Sequence, residues 1–185
     1  MFYQGQKGLD KALNSEMIHG LLERRSIRSF KKQQISEEEL QIVLKTGMYA
    51  PTGRGLQGPI IVVVQDEKEL AAVSELNQVF NTQQDPYYSA PTILIVLAPR
   101  DSEFAVMDGS AVITNLCNGA HAVGLGACWI YRPHWMFETI EGKNMLRRWG
   151  VEGDWVGVGS VALGYIDKPA PPAKPRKENY CYYVR

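Results

Sequence analysis

Three arginines within five positions form the stretch whose residue types most directly suggest chemistry. The segment reads Arg24-Arg25-Ser26-Ile27-Arg28. A guanidinium group is a planar fork of donors that matches the oxygens of a phosphate or carboxylate, and Ser26 adds a hydroxyl. The segment therefore predicts an anion-binding clamp, although the charged end of a solvated helix would have the same composition.

A second basic cluster lies near the other end of the chain, where Lys174 and Arg176 stand in a proline-rich stretch over residues 168–177. Taken alone, this cluster predicts a solvated, extended tail. It gains a function if the fold brings it beside the arginines, because basic groups from both ends of the chain could then hold one phosphate.

Other chemical motifs are weak in this sequence. Residues 157–162 have the glycine spacing of a dinucleotide-binding turn, but valine-rich sequence and then prolines follow instead of a helix, which predicts strand packing. His19, His121 and His134 have no metal-ligand spacing, and His121 is expected inside the core. Cys128 is expected to be a packed thiol rather than a nucleophile, because no basic residue adjoins it.

The composition bounds the class of protein. The 185 residues suit one domain, and 20 Lys and Arg balance 20 Asp and Glu, so no strong field favours nucleic acid or an anionic membrane. Three widely spaced cysteines argue against a disulfide framework or a zinc site and fit a reducing cytoplasm. No run has the roughly 18 apolar residues of a membrane span, and residues 1–10 lack the apolar core of a signal peptide.

Helices and strands are predicted in an order that indicates an α+β fold, because two helices precede the first strand. Ser36 and Glu39 form a capping box at the start of the second helix. The predicted helices cover residues 10–23, 36–50, 70–80, 104–123 and 136–149. The predicted strands cover residues 60–64, 92–97, 127–131 and 156–165, with a strand-like tail at 180–184.

Two of these segments have a distinctive environment. The β-branched run 60–64 predicts a strand buried on both faces, and the helix over 104–123 is apolar nearly all round and belongs in the middle of the fold. Residues 51–59 form a loop, with three glycines between two prolines.

Four segments, in the same order and spacing, resemble the FMN-dependent nitroreductase family. They are residues 24–28, 50–60, 124–130 and 163–176. The resemblance covers residues 17–176 and implies a single domain over residues 1–185, with a three-layer α/β/α sandwich around a small, largely antiparallel sheet. Residues 1–9 would be an N-terminal extension, and residues 177–185 a tail that docks on the partner subunit.

The resemblance also implies an obligate homodimer with FMN in clefts at the subunit interface. Arg24, Arg25, Ser26 and Arg28 would hold the phosphate, ribityl chain and pyrimidine edge, and Lys174 and Arg176 would complete the phosphate clamp. The residues that would reach the flavin from the other subunit are Pro51, Thr52, Leu56 and Gln57. Those that would line one face of its ring are Trp129, Ile130 and Tyr131.

The sequence departs from the family pattern near the reactive edge of the flavin. Gly55 stands where the family usually has asparagine, and Arg54 is a candidate to replace that contact. Gly58 intervenes before Pro59, and Tyr131 replaces the small residue that commonly follows Trp-Ile, which would narrow the substrate cleft. The segment between residues 65 and 91 is too short for a large lid domain.

The implied activity is NAD(P)H-dependent reduction of nitroaromatics, quinones or related acceptors. Hydride would pass through flavin N5 at one shared site, which implies ping-pong kinetics and requires no catalytic side chain. Two alternatives stay open: a protein that stores or senses FMN with little turnover, and a flavoenzyme of the same fold that dehalogenates substrates or destroys flavin. The sequence does not choose between NADH and NADPH or identify the acceptor.

Overall fold

The protein is a four-stranded antiparallel sheet with helices on both faces. The structure is a computed structural model that describes residues 15–79, 85–170 and 172–185. Helices α1 to α6 span Glu16–Glu23, Glu37–Met48, Glu67–Gln78, Ala105–Ala122, Pro133–Met136 and Ile140–Arg148. Strands β1 to β4 span Ile60–Val64, Thr92–Pro99, Gly126–Ile130 and Trp155–Gly164. The strand order is β1-β2-β4-β3, and each neighbouring pair is antiparallel.

The central strand β2 divides the interior into two cores. Leu94, Val96 and Ala98 face one core, which contains buried residues of α2 and α4. Ile93, Ile95 and Leu97 face the other core, which contains buried residues of α3, α5 and α6. Because successive side chains of a strand point to opposite faces, this alternation confirms the predicted three-layer α+β sandwich.

Strand β1 departs from its prediction. It was expected to be buried on both faces, but it lies at the edge of the sheet and Val63 is 37% exposed. A run of valines predicts an extended segment, yet it carries no information on whether a helix covers each face. In the described chain this leaves an apolar strip beside β1.

The helix predicted over residues 136–149 is two helices. Pro133 stands in the first turn of α5, which ends at Met136, and the Oγ1 atom of Thr139 accepts a hydrogen bond from the N–H of Gly142 at 2.9 Å to cap α6. The apolar periodicity continues across the break, so it hides the new cap. The tail at 180–184 forms no strand and is exposed, contrary to expectation.

The remaining elements follow the sequence closely. The reciprocal hydrogen bonds between Ser36 and Glu39 confirm the capping box. The glycine-rich stretch is confirmed as strand β4, where a Cβ on Gly157 would lie 2.0 Å from the carbonyl oxygen of Pro133. The predicted N-terminal extension and the start of the first helix lie outside the described residues. In residues 15–79, 85–170 and 172–185, no helix is long and apolar enough to cross a membrane.

Candidate functional site

The arginine segment runs beside the start of β3. Helix α1 ends at Glu23, and the backbone of Arg24 turns away from helical geometry. The N–H of Ile27 then donates to the carbonyl oxygen of Ala127 at 2.9 Å, and the N–H of Lys31 donates to Tyr165 at 2.9 Å. These bonds fix the segment between β3 and the end of β4.

A cavity of about 410 Å³ opens against this segment, and we term it the arginine cavity. Its lining residues are Glu23, Arg24, Arg25, Ile27, Cys117, His121, Leu125, Ala127, Ile166, Asp167, Pro169 and Ala170. The wall is therefore built from α1, the arginine segment, α4, β3 and the chain after β4. The structure brings Arg24 and Arg25 together there.

Two arginines and two carboxylates line this cavity, and the arginines differ in how their donors are used. Arg24 makes no ion pair or hydrogen bond with a described side chain, whereas Arg25 donates to the carbonyl oxygens of Leu22 and Arg24 at 2.7 and 2.9 Å. Arg28 is exposed and lies outside the lining. The two acidic residues of the wall have other partners. Glu23 lies 3.8 Å from His19, and Asp167 accepts a hydrogen bond from the Ser29 hydroxyl at 2.8 Å. The guanidinium of Arg24 therefore keeps its donors for an anion.

His121 lines this cavity and is half-buried, so the expectation of a core histidine is wrong. His121 stands one helical turn after Cys117 on α4, and Cys117 also lines the cavity. The i, i+4 spacing places both side chains on one face of α4. That spacing was the available signal, but the sequence did not show that this face meets the arginines.

The thiols near the arginines are inert by burial. Burial raises the pKa of Cys117 to about 11, with Arg24 opposing the shift. Burial also raises the pKa of Cys128, although Arg28, the Ser26 hydroxyl and Arg24 all act in the opposite direction. Basic residues do surround Cys128 in space, but desolvation outweighs them, so its predicted packing role is confirmed.

The three residues at the end of β3 alternate in exposure. Trp129 is 40% exposed, Ile130 is 8% exposed, and Tyr131 is 58% exposed. The indole of Trp129 lies over Gly159, where a Cβ would be 2.4 Å from its Nε1 atom. Ile130 points into the core on the opposite face, so a ligand beside Trp129 would meet only its backbone.

The loop that contains Pro51, Thr52, Leu56 and Gln57 lies at a second cavity, the apolar groove, of about 320 Å³. Its lining residues are Leu44, Gly47, Met48, Ala50, Thr52, Gln57, Pro59, Ile60, Ile61, Val63 and Val112. Pro51 is exposed and Leu56 is 65% exposed. The groove and the arginine cavity share no lining residue among those described, so one chain does not bring the two predicted sets together.

Backbone geometry in this loop is unusual. Arg54 and Gln57 have φ values of 53° and 51°, in the left-handed region that side chains other than glycine seldom adopt. The Arg54 guanidinium lies 3.1 Å from Glu103 and over the ring of Phe104. Gly55 has a φ of 68°, a conformation that glycine adopts without cost. Such a strained, exposed loop is typical of a binding segment.

Asp108 contacts this loop and was not predicted from the sequence. Its side chain is 7% exposed and accepts a hydrogen bond from the N–H of Gly53 at 2.9 Å. Phe104 packs under Gly53, leaving no room for a Cβ. A carboxylate within an otherwise apolar helix was the available signal, because a buried acid requires a partner.

Lys174 and Arg176 lie beyond the arginine cavity. The lining from this end of the chain stops at Ala170, and the Arg176 guanidinium donates to the Lys174 carbonyl oxygen at 2.6 Å. Both side chains are exposed. The described chain therefore does not join the two basic clusters.

The comparisons with known proteins agree with this architecture. The model of the Nitroreductase family matches residues 21–165. A relative from Archaeoglobus fulgidus, named "Putative NADH dehydrogenase/NAD(P)H nitroreductase", is 29% identical over 155 residues, covering 81% of this chain and 85% of that protein. A nitroreductase with bound FMN from Bacteroides fragilis NCTC 9343 has a TM-score of 0.86 and 25% identity, covering 93% of this chain and 100% of that chain. A nitroreductase with bound FMN from Desulfitobacterium hafniense DCB-2 shares the fold, with a TM-score of 0.81 and 21% identity, covering 92% of this chain and 99% of that chain.

Proposed function

Because the chain belongs to the nitroreductase family, we propose that it is an FMN-dependent oxidoreductase that uses NAD(P)H to reduce nitroaromatics, quinones or related aromatic acceptors. One observation carries the proposal: a cavity lined by Arg24 and Arg25 and the 40% exposed indole of Trp129 lie along one face of β3. Ala127 lines the arginine cavity, and Trp129 follows two residues later on the same face. FMN has an anionic phosphate at one end and a planar ring at the other, which matches this arrangement.

The spacing along the strand supports the match. From Ala127 to Ile130, where β3 ends, the chain advances three residues, or about 10 Å at the rise of an extended strand. A phosphate and a ring system joined by a short chain span a similar length. The guanidinium of Arg24, which has no side-chain partner among the described residues, offers its donors to the phosphate end.

Each proposed ligand has a distinct task. Arg24 and Arg25 would hold the phosphate, and Ser26 and Arg28 would contact the ribityl chain and pyrimidine edge. Lys174 and Arg176 are left out of this clamp, because they lie beyond the arginine cavity. When bound, FMN supplies hydride transfer at its N5 atom. Arg28 would place its positive charge near the pyrimidine edge, where it would stabilise negative charge on the reduced ring. The indole of Trp129 would shield the bound ring from water.

The site is completed by a second copy of the chain. The arginine cavity and the apolar groove are separate in one chain, and the loop at the groove holds the other predicted FMN ligands. Exposed apolar side chains on α1 and α2 offer a surface for a partner; they include Met17, Leu21, Leu22, Ile42 and Met48. A homodimer buries this surface and brings Pro51, Thr52, Leu56 and Gln57 of one subunit to the arginines of the other. The tail of residues 177–185 is proposed to dock on the same partner.

A direct test combines binding and turnover. Purified protein is titrated with FMN, and NADH or NADPH oxidation is then followed with a quinone or a nitroaromatic as acceptor. Saturable FMN binding and acceptor-dependent oxidation are expected. Failure to bind FMN would contradict the proposal.

A second function, FMN storage or sensing, is favoured by Tyr131. Tyr131 directly follows β3, at a position where the family commonly has a small residue. Its bulky side chain is 58% exposed beside the proposed ring site. A side chain of this size restricts access by substrates. Tight FMN binding with negligible oxidation of either nicotinamide, across aromatic and inorganic acceptors, would support storage over catalysis.

A further inference from the structure

The imidazole of His121 is a titratable group at the arginine cavity to which the proposed function gives no role. His121 is half-buried and lines this cavity together with Arg24 and Arg25. None of the described residues forms a hydrogen bond or an ion pair with its ring. By contrast, the ring of His19 on α1 lies 3.8 Å from the carboxylate of Glu23. The ring nitrogens of His121 are therefore available to a ligand in the cavity.

The ring of His121 stands beside the C-terminal end of a helix. His121 lies in the last turn of α4, which ends at Ala122. A Cβ at Gly20 would lie 3.9 Å from the Cδ2 atom of His121, so α1 packs beside the ring. The carbonyl oxygens at the C-terminal end of a helix carry partial negative charge, which favours an imidazolium and opposes a phosphate. A protonated His121 would therefore offset a feature of this cavity that disfavours an anion.

Several other titratable or charged groups surround the ring of His121. Those that line the arginine cavity are Glu23, Arg24, Arg25, Cys117 and Asp167. A neighbouring cavity, which His121 also lines, adds Glu16 and His19. Carboxylates and guanidinium groups ordinarily keep their charge around neutral pH, and burial raises the pKa of Cys117 to about 11. Histidines are therefore the groups here whose charge changes between slightly acidic and slightly basic solutions.

We propose that His121 is a further ligand of the FMN phosphate and binds it as an imidazolium beside Arg24. This inference rests on the proposed function and adds a phosphate ligand on α4, an element that the sequence did not connect with the arginines. A ring N–H would donate to a phosphate oxygen in a charge-assisted hydrogen bond. FMN should therefore bind more tightly as the pH falls through the range where histidine takes up a proton. This gain ends near pH 6, where a phosphate ester itself takes up a proton.

The test is the FMN dissociation constant of His121→Gln divided by that of the wild type. The ratio cancels the titration of the phosphate and of the other groups in the cavity. It should be about 5 at about pH 6.5 and about 1 at about pH 8.5, if bound phosphate stabilises the imidazolium about 10-fold. His19→Gln removes a histidine outside the arginine cavity and should give a ratio of about 1 at both pH values.

A flat ratio for His121→Gln at the two pH values would overturn the proposal, as would the same pH-dependent loss in His19→Gln. Riboflavin, which lacks the phosphate, separates a phosphate contact from a structural role. His121→Gln should bind riboflavin as the wild type does, and an equal loss of FMN and riboflavin affinity would also overturn the proposal.

A second variant decides the result if His121→Gln does not fold. His121→Lys keeps a positive charge at both pH values, so it should bind FMN about 5-fold more tightly than the wild type at about pH 8.5. An FMN affinity equal to that of the wild type at this pH would contradict the role of His121.

These binding measurements require no turnover, so they separate this inference from the proposed function. The expected ratios support the role of His121 even if NAD(P)H reduces no acceptor. A wild-type protein that binds no FMN contradicts both proposals. A wild-type protein that binds FMN and oxidises NAD(P)H, with flat ratios in the variants, contradicts the role of His121 alone.

Discussion

At the scale of single residues, the charge of an arginine matters less than what already occupies its donors. Arg24 is half-buried at the cavity and has no described partner, whereas Arg147 on α6 is exposed and donates only to the carbonyl oxygen of Lys143. Arg25 is intermediate, since its donors already serve backbone carbonyl oxygens. Arg24, Arg25 and Arg147 therefore carry the same charge but differ in how many of their donors remain available to an anion.

Arg24→Ala should weaken FMN binding by about 1.5–3 kcal/mol, the range for a hydrogen bond to a charged group. Arg147→Ala removes the same charge from a distant surface and is the matched control, with an unchanged dissociation constant expected. Isothermal titration with FMN measures both. Equal affinities for Arg24→Ala and wild type would remove Arg24 from the site.

Thiol reactivity should separate the three cysteines. Cys117 and Cys128 are buried with raised pKa values, so little thiolate forms near neutral pH, whereas Cys181 in the tail is exposed. Titration of the native protein with a disulfide reagent should modify Cys181 rapidly and the other two only on unfolding. Because the Cys117 pKa rises to about 11, its protection should persist until the pH exceeds the ordinary range of a thiol. Rapid modification of Cys117 at neutral pH would contradict this assignment.

The residue types in the sequence predicted an anion site at the arginines. They did not predict which distant residues contact the proposed site residues in the fold. The fork chemistry of Arg24 and the adjacent serine could be recognised in sequence. The bond from Gly53 to Asp108 joins positions 55 residues apart, so no local pattern reports it. The face of β3 on which the Ile130 side chain lies also depends on the register of the strand. That register decides whether the side chain or the backbone of Ile130 meets a ligand.

At the scale of elements, the strained loop at residues 52–57 depends on α4 for its shape. The N–H of Gln57 donates to the Thr52 hydroxyl, and the N–H of Gly53 donates to Asp108. The bond between Gln57 and Thr52 lies within the loop, whereas the bond between Gly53 and Asp108 connects the loop to α4. Asp108 is therefore a positioning residue for the proposed contacts of this loop.

Asp108→Ala should lower thermal stability by up to about 1–3 kcal/mol, because it leaves the partly buried N–H of Gly53 without its acceptor. Asp108→Asn keeps an acceptor oxygen and should recover most of that loss. Thermal unfolding followed by circular dichroism compares the two variants. FMN affinity should follow the same order, and a loss of stability with wild-type FMN affinity in Asp108→Ala would show that the loop does not contact FMN.

Element types were predicted better than element boundaries and environments. Periodicity identified α4 and the four strands, since apolar spacing reflects burial directly. It did not reveal the break between α5 and α6, because Thr139 caps a new helix without interrupting the apolar pattern. It also did not reveal that β1 lies at an edge, which depends on the strand order of the whole sheet.

At the scale of the whole molecule, the separation of the arginine cavity from the apolar groove is the main argument for two subunits. The resemblance predicted that ligands of one FMN come from two chains, and in the described chain Arg24 and Arg25 line one cavity whereas Thr52 and Gln57 line another. Sequence patterns report local contacts, so the sequence could not show that these two sets of residues lie apart in one folded chain. The partner is thus a functional requirement of the proposal.

Complementation between two variants tests this arrangement. Arg24→Ala and Gln57→Ala should each weaken FMN binding, and randomly mixed dimers should restore intact sites, because one of the two sites then has both wild-type residues. After mild dissociation and re-association of an equal mixture, about a quarter of all sites should bind FMN with wild-type affinity. Recovery of no such sites, with mixed dimers verified by mass spectrometry, would place all the ligands in one chain.

The central claim is that this chain binds FMN and passes electrons from NAD(P)H through it. The most direct measurement is the visible spectrum of the FMN-loaded protein under anaerobic conditions, first with NADH or NADPH and then with a quinone. The flavin absorbance should bleach on addition of the nicotinamide and return when the quinone is added. An FMN spectrum that neither nicotinamide alters would contradict it.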